Sequence, residues 1–140
     1  MEIQIEVAKV TQFGSAISGD SIEVIERPNG GLSVVMCDAQ TTGERAKFVS
    51  GMVVRKVLTL LSDGIRDGSA ARAASDFLFT ERNGKDQAYL NILSADLETR
   101  TLVITRNNPT PVFIARADRV ECITGLPQPI GLARNIRPAI

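Results

Sequence analysis

Histidine is absent from the 140-residue chain. That removes the commonest neutral-pH base and every histidine-based zinc, haem or triad chemistry, so any catalysis must run on carboxylates and metal-activated water. Net charge is absent too. The 16 basic and 16 acidic residues cancel and are interspersed, without a Lys or Arg stripe to follow a phosphate backbone, which argues against a nucleic-acid partner. Cysteine is scarce: Cys37 and Cys122 lack the close spacing of zinc ligands and the density of a disulfide scaffold. Both are expected as free thiols, one in a core strand and one in a peripheral strand. The N-terminus has no basic segment leading into an apolar stretch, and no apolar run reaches membrane-spanning length. A reduced, cytoplasmic protein without membrane contact is the expectation. Tandem repeats, low-complexity tracts and linkers are also missing, and a chain of this size buries one core, so residues 1–140 read as one domain or part of one.

The apolar residues that are present fall into two periodicities. Residues 2–10 and roughly 21–27 alternate as strands. The run Arg27-Pro28-Asn29-Gly30-Gly31 is a hairpin signal, because Pro fixes one turn position while Asn and Gly tolerate positive φ. Leu32 to Cys37 is apolar nearly throughout and reads as a central strand covered on both faces. From Glu44 to Leu61 the spacing changes to three and four, with Val49, Met52, Val53, Val57, Leu60 and Leu61 on one stripe. Thr41 or Thr42 is placed to cap this helix and Ser62-Asp63-Gly64 to end it. A second helix is expected from about Ser69 to Phe79 on Ala70, Ala73, Ala74, Phe77 and Leu78, its small residues allowing close helix approach. Strands follow at Ala88–Leu93, Leu102–Thr105, Val112–Ala115 and Val120–Ile123. Gly125 to Leu132 reads as a rigid loop. This order implies an α+β layered fold of antiparallel sheets flanked by helices, not a βαβ nucleotide-binding repeat.

Two acids stand out. Asp20 lies in Ser18-Gly19-Asp20-Ser21 and Asp38 ends the apolar run Leu32-Ser33-Val34-Val35-Met36-Cys37. Because one hairpin joins their strands, antiparallel pairing brings the two carboxylates together, where they could hold a hard divalent cation, with the Ala39 carbonyl as a third oxygen. Asp20 also suits a plain turn or cap, but a carboxylate directly after an apolar strand is costly unless its charge is compensated. Arg106, in Thr105-Arg106-Asn107-Asn108-Pro109-Thr110-Pro111, could grip a phosphate, or the segment could simply set a turn. Arg66, Arg72, Arg82 and Arg116 read as solvated face residues.

Ser18-Gly19-Asp20, the run ending at Asp38, Gly43 opening a helix, Asn107-Asn108-Pro109-Thr110-Pro111 and Pro129-Ile130-Gly131-Leu132, in this order, resemble the PP2C superfamily of metal-dependent serine/threonine phosphatases. Within it the similarity is to the bacterial branch of sporulation stage II protein E and the stress-response phosphatases, from about residue 14 onward. The resemblance implies a PP2C-like sandwich and a centre of two Mn²⁺ or Mg²⁺ ions held by Asp20, Asp38 and the Ala39 carbonyl. It further implies hydrolysis of phosphoserine or phosphothreonine by metal-activated water without a phosphoenzyme. The implied substrates are small phosphorylated regulatory proteins such as antagonists of anti-sigma factors. The chain departs from the family at Thr41, where glycine is usual, and at Arg106-Asn107-Asn108-Pro109, where the family has Gly-His-Asn-Pro. The later Asp-Gly motif and final paired acids are missing. The expectation is therefore a domain lacking its C-terminal part, one completed by another chain, or a non-catalytic protein-binding module on the same fold. An uncovered sheet edge would also permit a homodimer.

Overall fold

Alternation and hairpin chemistry assemble the first half of a four-stranded antiparallel sheet in the computed structural model, which describes residues 2–10, 18–28, 30–125 and 127–140. Asn29 of the expected hairpin and Leu126 of the expected rigid loop lie outside the described residues. Strand β1 (Asp20–Glu26) turns into β2 (Leu32–Ala39). The turn is closed by Arg27 N–H donating to Gly31 O at 2.6 Å, with Gly30 at φ +89°. Helices α1 (Gly43–Ser62) and α2 (Asp67–Arg82) come next, then β3 (Ala88–Asp96), β4 (Thr101–Asn107), β5 (Val112–Ala115) and β6 (Val120–Ile123). The sheet order is β1-β2-β3-β4, and β5 and β6 form a separate two-stranded sheet. This is the α+β architecture expected from the element order.

Helix α1 lies over β1 and β2, and α2 lies against β3, β4 and α1. Ala46, Val49, Val53, Val57 and Leu61 of α1 are buried against Val35, Cys37, Leu90 and Ile92 of the sheet. Ala70, Ala71, Ala74 and Leu78 bring α2 in close. Its buried stripe thus runs through Ala71 and Ser75, while the expected Ala73 and Phe77 are half-buried. Helix α2 also starts earlier than its apolar period suggests, because Asp67 in its first turn accepts a hydrogen bond from Arg27 Nη1 at 2.7 Å and another from Ser94 Oγ. Strand β2 is central, but only one of its faces is fully covered: Ser33, Val35, Cys37 and Ala39 are buried, while Leu32, Val34 and Met36 are half-buried.

Beside that second face lie residues 2–5, the start of the 2–10 segment that the alternation marks as a strand. Ile3 and Ile5 do turn inward beside an apolar cleft of about 480 Å³ shared with Leu32, Val34, Leu93 and Leu102. No strand is assigned to this segment. Alternation sets which side chains face in, whereas a strand also needs a ladder partner. Residues 127–132 dock beside β3, where Ala88 and Ile130 exchange N–H···O bonds of 3.1 and 2.9 Å. Gly131, at φ +83°, fits there because a Cβ would meet Asp86 O at 2.6 Å. Among the described residues no helix is long and apolar enough to cross a membrane.

Candidate functional site

The hairpin register places Asp20 directly opposite Asp38. Gln40 N–H donates to Gln87 O at 2.9 Å, so residues 40 and 87 are a bonded pair of the β2–β3 ladder. By the alternation of antiparallel ladders, the amide and carbonyl of Asp38 also face β3, and those of Ala39 face β1. Two consequences follow. Asp20 and Asp38 form a non-bonded pair of the β1–β2 ladder, the type in which side chains stand closest, and the Ala39 carbonyl points to the β1 side, past Asp20. Ala88, opposite Ala39, correspondingly makes its backbone bonds to Ile130 on its far side.

The two carboxyl groups face one cleft from paired positions of neighbouring strands. Partial burial, the hydrogen bond with Asp20 and the Asp20 charge, in that order, push the Asp38 carboxyl up to about 6. Two acids crowded together while one side remains open to water are a receptive arrangement for a hard cation, since the ion replaces mutual repulsion with attraction. Ser18, Gly19, Thr41, Thr42 and Val10 complete an open cleft of about 220 Å³ around the pair. Among the described residues no group of three or more His, Cys, Asp or Glu side chains converges, so the oxygens this cleft could offer a cation are two carboxylates and one carbonyl. Their oxygen chemistry fits Mg²⁺ or Mn²⁺ and does not suit a soft metal.

Local packing fixes the approach to Asp20. A Cβ on Gly19 would lie 2.6 Å from Ala46 Cβ, so glycine lets the loop press against α1. Ser21 Oγ and Ser50 Oγ, 2.8 Å apart, tie β1 to the same helix. Lys9 Nζ and Lys47 Nζ both donate to Asp20 O, at 2.9 and 2.7 Å. Burial, then contact with Lys9 and its charge, lower the Lys47 ammonium below its ordinary value, while Asp20 and Glu23 act in opposition. Thr42 occupies the N-cap position of α1 without a side-chain cap bond. Thr42 and Thr41 both line the cleft.

Arg106 is elsewhere. It is 3% exposed, its Nη1 donates to Asn108 O at 3.1 Å and Thr110 O at 3.0 Å, and its backbone pairs with Ala139. The guanidinium folds its own loop rather than facing the acid pair. Asn107 Nδ2 donates to Gln128 O at 3.1 Å, and Asn108 Oδ1 accepts from Thr110 N–H at 2.9 Å, which makes the segment a side-chain-braced turn. Arg82 is not a freely solvated residue either: its Nε donates to Asp86 at 2.6 Å. Sequence reasoning did not reach the lysines at Asp20 or the arginines at Asp86. Only the four-residue spacing of Arg82 and Asp86 carried a local signal.

No family model matches the chain. Over 126 residues, 90% of its length, it is 28% identical to stage II sporulation protein E of Priestia megaterium, and it covers 22% of that protein. The chain therefore spans less than a quarter of that curated relative. It also superposes on the structure of the PP2C phosphatase domain of SpoIIE from Bacillus subtilis, solved with a fragment of the regulatory domain. The TM-score is 0.74 with 24% identity, covering 90% of this chain and 36% of that one. Against the serine/threonine phosphatase Stp1 from Staphylococcus aureus the TM-score is 0.77 at 9% identity, covering 99% and 73%. The fold is that of the PP2C phosphatases.

Proposed function

We propose that the chain carries part of the active centre of a metal-dependent phosphoprotein phosphatase related to stage II sporulation protein E. The observation that supports this most is the facing pair Asp20 and Asp38, at the mouth of an open cleft on a PP2C-type fold. Asp20, Asp38 and the Ala39 carbonyl would hold Mn²⁺ or Mg²⁺. When bound, such an ion supplies a Lewis acid for the phosphoryl oxygens and lowers the pKa of a water. The chain's own residues orient it: Gly19 and Ser21 anchor β1 on α1, and the hairpin register keeps the carboxylates opposed. Lys9 and Lys47, both bonded to the Asp20 carbonyl, add positive charge near the pair, which favours approach of a phosphate dianion. Two ions are expected in a full site, so further donors would have to come from other segments or another chain. The substrate on this reading is a phosphoserine or phosphothreonine on a small regulatory protein, such as an antagonist of an anti-sigma factor, in the cytoplasm.

The count of acids favours a second reading. With two carboxylates and no third converging among the described residues, the same fold would serve as a non-catalytic protein-binding module. Manganese-dependent phosphate release from a phosphoserine peptide, measured for the protein and for Asp38→Asn, separates the two. Release that disappears in the variant supports the phosphatase. Its absence from both, in a well-folded protein, supports the binding module.

A further inference from the structure

Asp86 is a nearly buried carboxylate, with 4% of its side chain exposed. Each of its oxygens holds one arginine: Oδ1 accepts from Arg45 Nη2 of α1 at 2.7 Å, and Oδ2 accepts from Arg82 Nε of α2 at 2.6 Å. The tether costs Arg45 little of its binding capacity. A guanidinium carries five N–H donors, and the Arg45 side chain remains 54% exposed. Arg45 is thus held in place from behind and open in front, as a preorganised carboxylate receptor should be.

Arg45, Asp86 and the exposed Lys85 line a polar cleft of about 320 Å³ with Gln40, Thr41 and Gln87. With Arg82 behind Asp86, positive charge exceeds negative by two; Glu44 and Glu81 are exposed and outside the lining. Thr41 also lines the cleft around Asp20 and Asp38, so the two clefts adjoin there. Gln40 lies two residues past Asp38, a separation of about 7 Å along a strand. Two residues of an extended peptide span the same distance.

We propose that the Arg45–Lys85 cleft is a subsite for a carboxylate of the substrate, an Asp or Glu side chain about two positions from the phosphorylated residue. This rests on the phosphatase reading only for the placement of the phosphoryl group at Asp20 and Asp38. Arg45 supplies the planar fork and Lys85 a mobile point charge, while Gln40 and Gln87 offer amide donors beside them.

The test is fluorescence anisotropy with labelled phosphoserine heptapeptides carrying Glu, Gln or Lys two positions to either side of the phosphoserine, in low salt with Mn²⁺. The Glu peptides should bind the protein roughly five- to tenfold more tightly than the Gln peptides, and the margin should shrink with salt. Arg45→Glu/Lys85→Glu should reverse the order in favour of Lys. Lys85→Glu alone, which leaves the Asp86 tether intact, should narrow it. Arg72→Glu, the same charge change at an exposed position of α2 outside the cleft, should preserve the wild-type order. Equal affinity for Glu and Gln peptides, or the same loss of preference in Arg72→Glu, overturns the subsite. Phosphate release is recorded on the same samples: a retained Glu preference without release supports the subsite and counts against self-sufficient catalysis by this chain instead.

Discussion

Replacing Asp38 with asparagine should stabilise the cation-free protein at neutral pH. The Asp38 carboxyl is pushed from 3.8 up to about 6, so the folded state binds its proton more tightly than the unfolded chain. Between those values the folded protein carries more protons, and linkage makes stability fall as pH rises through the window and then level off above it. Converted in full, that displacement corresponds to about 3 kcal/mol. More than a third of Asp38 is open to water, and solvent screening reduces the effect to about 1 kcal/mol. In EDTA at pH 7, Asp38→Asn should therefore gain about 1 kcal/mol in urea unfolding, or about 3 °C in Tm. The advantage should fade as pH falls below 4, where the unfolded carboxyl becomes protonated as the folded one already is. Millimolar Mn²⁺ should reverse the ranking by stabilising only the protein with Asp38 intact. A variant less stable than the parent in EDTA at pH 7, or a parent whose stability does not fall between pH 4 and 7, would refute the crowded-carboxyl account.

Gly19→Ala, which brings a Cβ to within 2.6 Å of Ala46 Cβ, should cost about 1–3 kcal/mol in chemical denaturation and weaken Mn²⁺ binding measured by calorimetry. Unchanged metal affinity would show that Asp20 is positioned without that contact. Asp67→Ala takes the counter-charge from the Arg27 guanidinium, whose side chain is 13% exposed, so a loss of about 3 kcal/mol is expected in urea melts. At Asp86, burial pushes the carboxyl up, but hydrogen bonds and charges from Arg82 and Arg45 outweigh it and leave it below its ordinary value. A depressed carboxyl stabilises above its unfolded pKa, and the contribution is lost as pH falls through the folded value, so Asp86→Asn should flatten the acid limb of a stability profile. A steep acid limb that survives the substitution would assign it to other carboxylates.

Local patterns reached much of this architecture. The three-and-four spacing from Val49 to Leu61 delimited α1 to within a residue. The turn closed between Arg27 and Gly31 set the β1–β2 register, and that register alone brought Asp20 opposite Asp38. Strands β5 and β6 begin and end where their short apolar runs do. Failures arose where the deciding partner is distant in sequence. The apolar run of β2 suggested two covered faces, yet how far the second is covered depends on Ile3 and Ile5 from the start of the chain. Arg106 carries a phosphate gripper's chemistry, but the carbonyls of Asn108 and Thr110 claim it first. The sharing of Asp86 by Arg45 and Arg82 joins two helices and a loop, and no single window of sequence contains all three.

Cys37 sits at 0% exposure in the central strand next to Asp38, and burial followed by the charges of Asp38 and Asp20 drives its thiol far above the range in which thiolate forms. The second thiol, Cys122, is exposed on β6. The pair amounts to a built-in label and a built-in clock. A maleimide dye attaches at Cys122 in the native protein, whereas Cys37 reacts only when β2 leaves the sheet. Its modification rate in native buffer therefore times the opening of the strand that carries Asp38, and its slowing by divalent cation would register occupancy of the acid pair from the opposite face of the same strand.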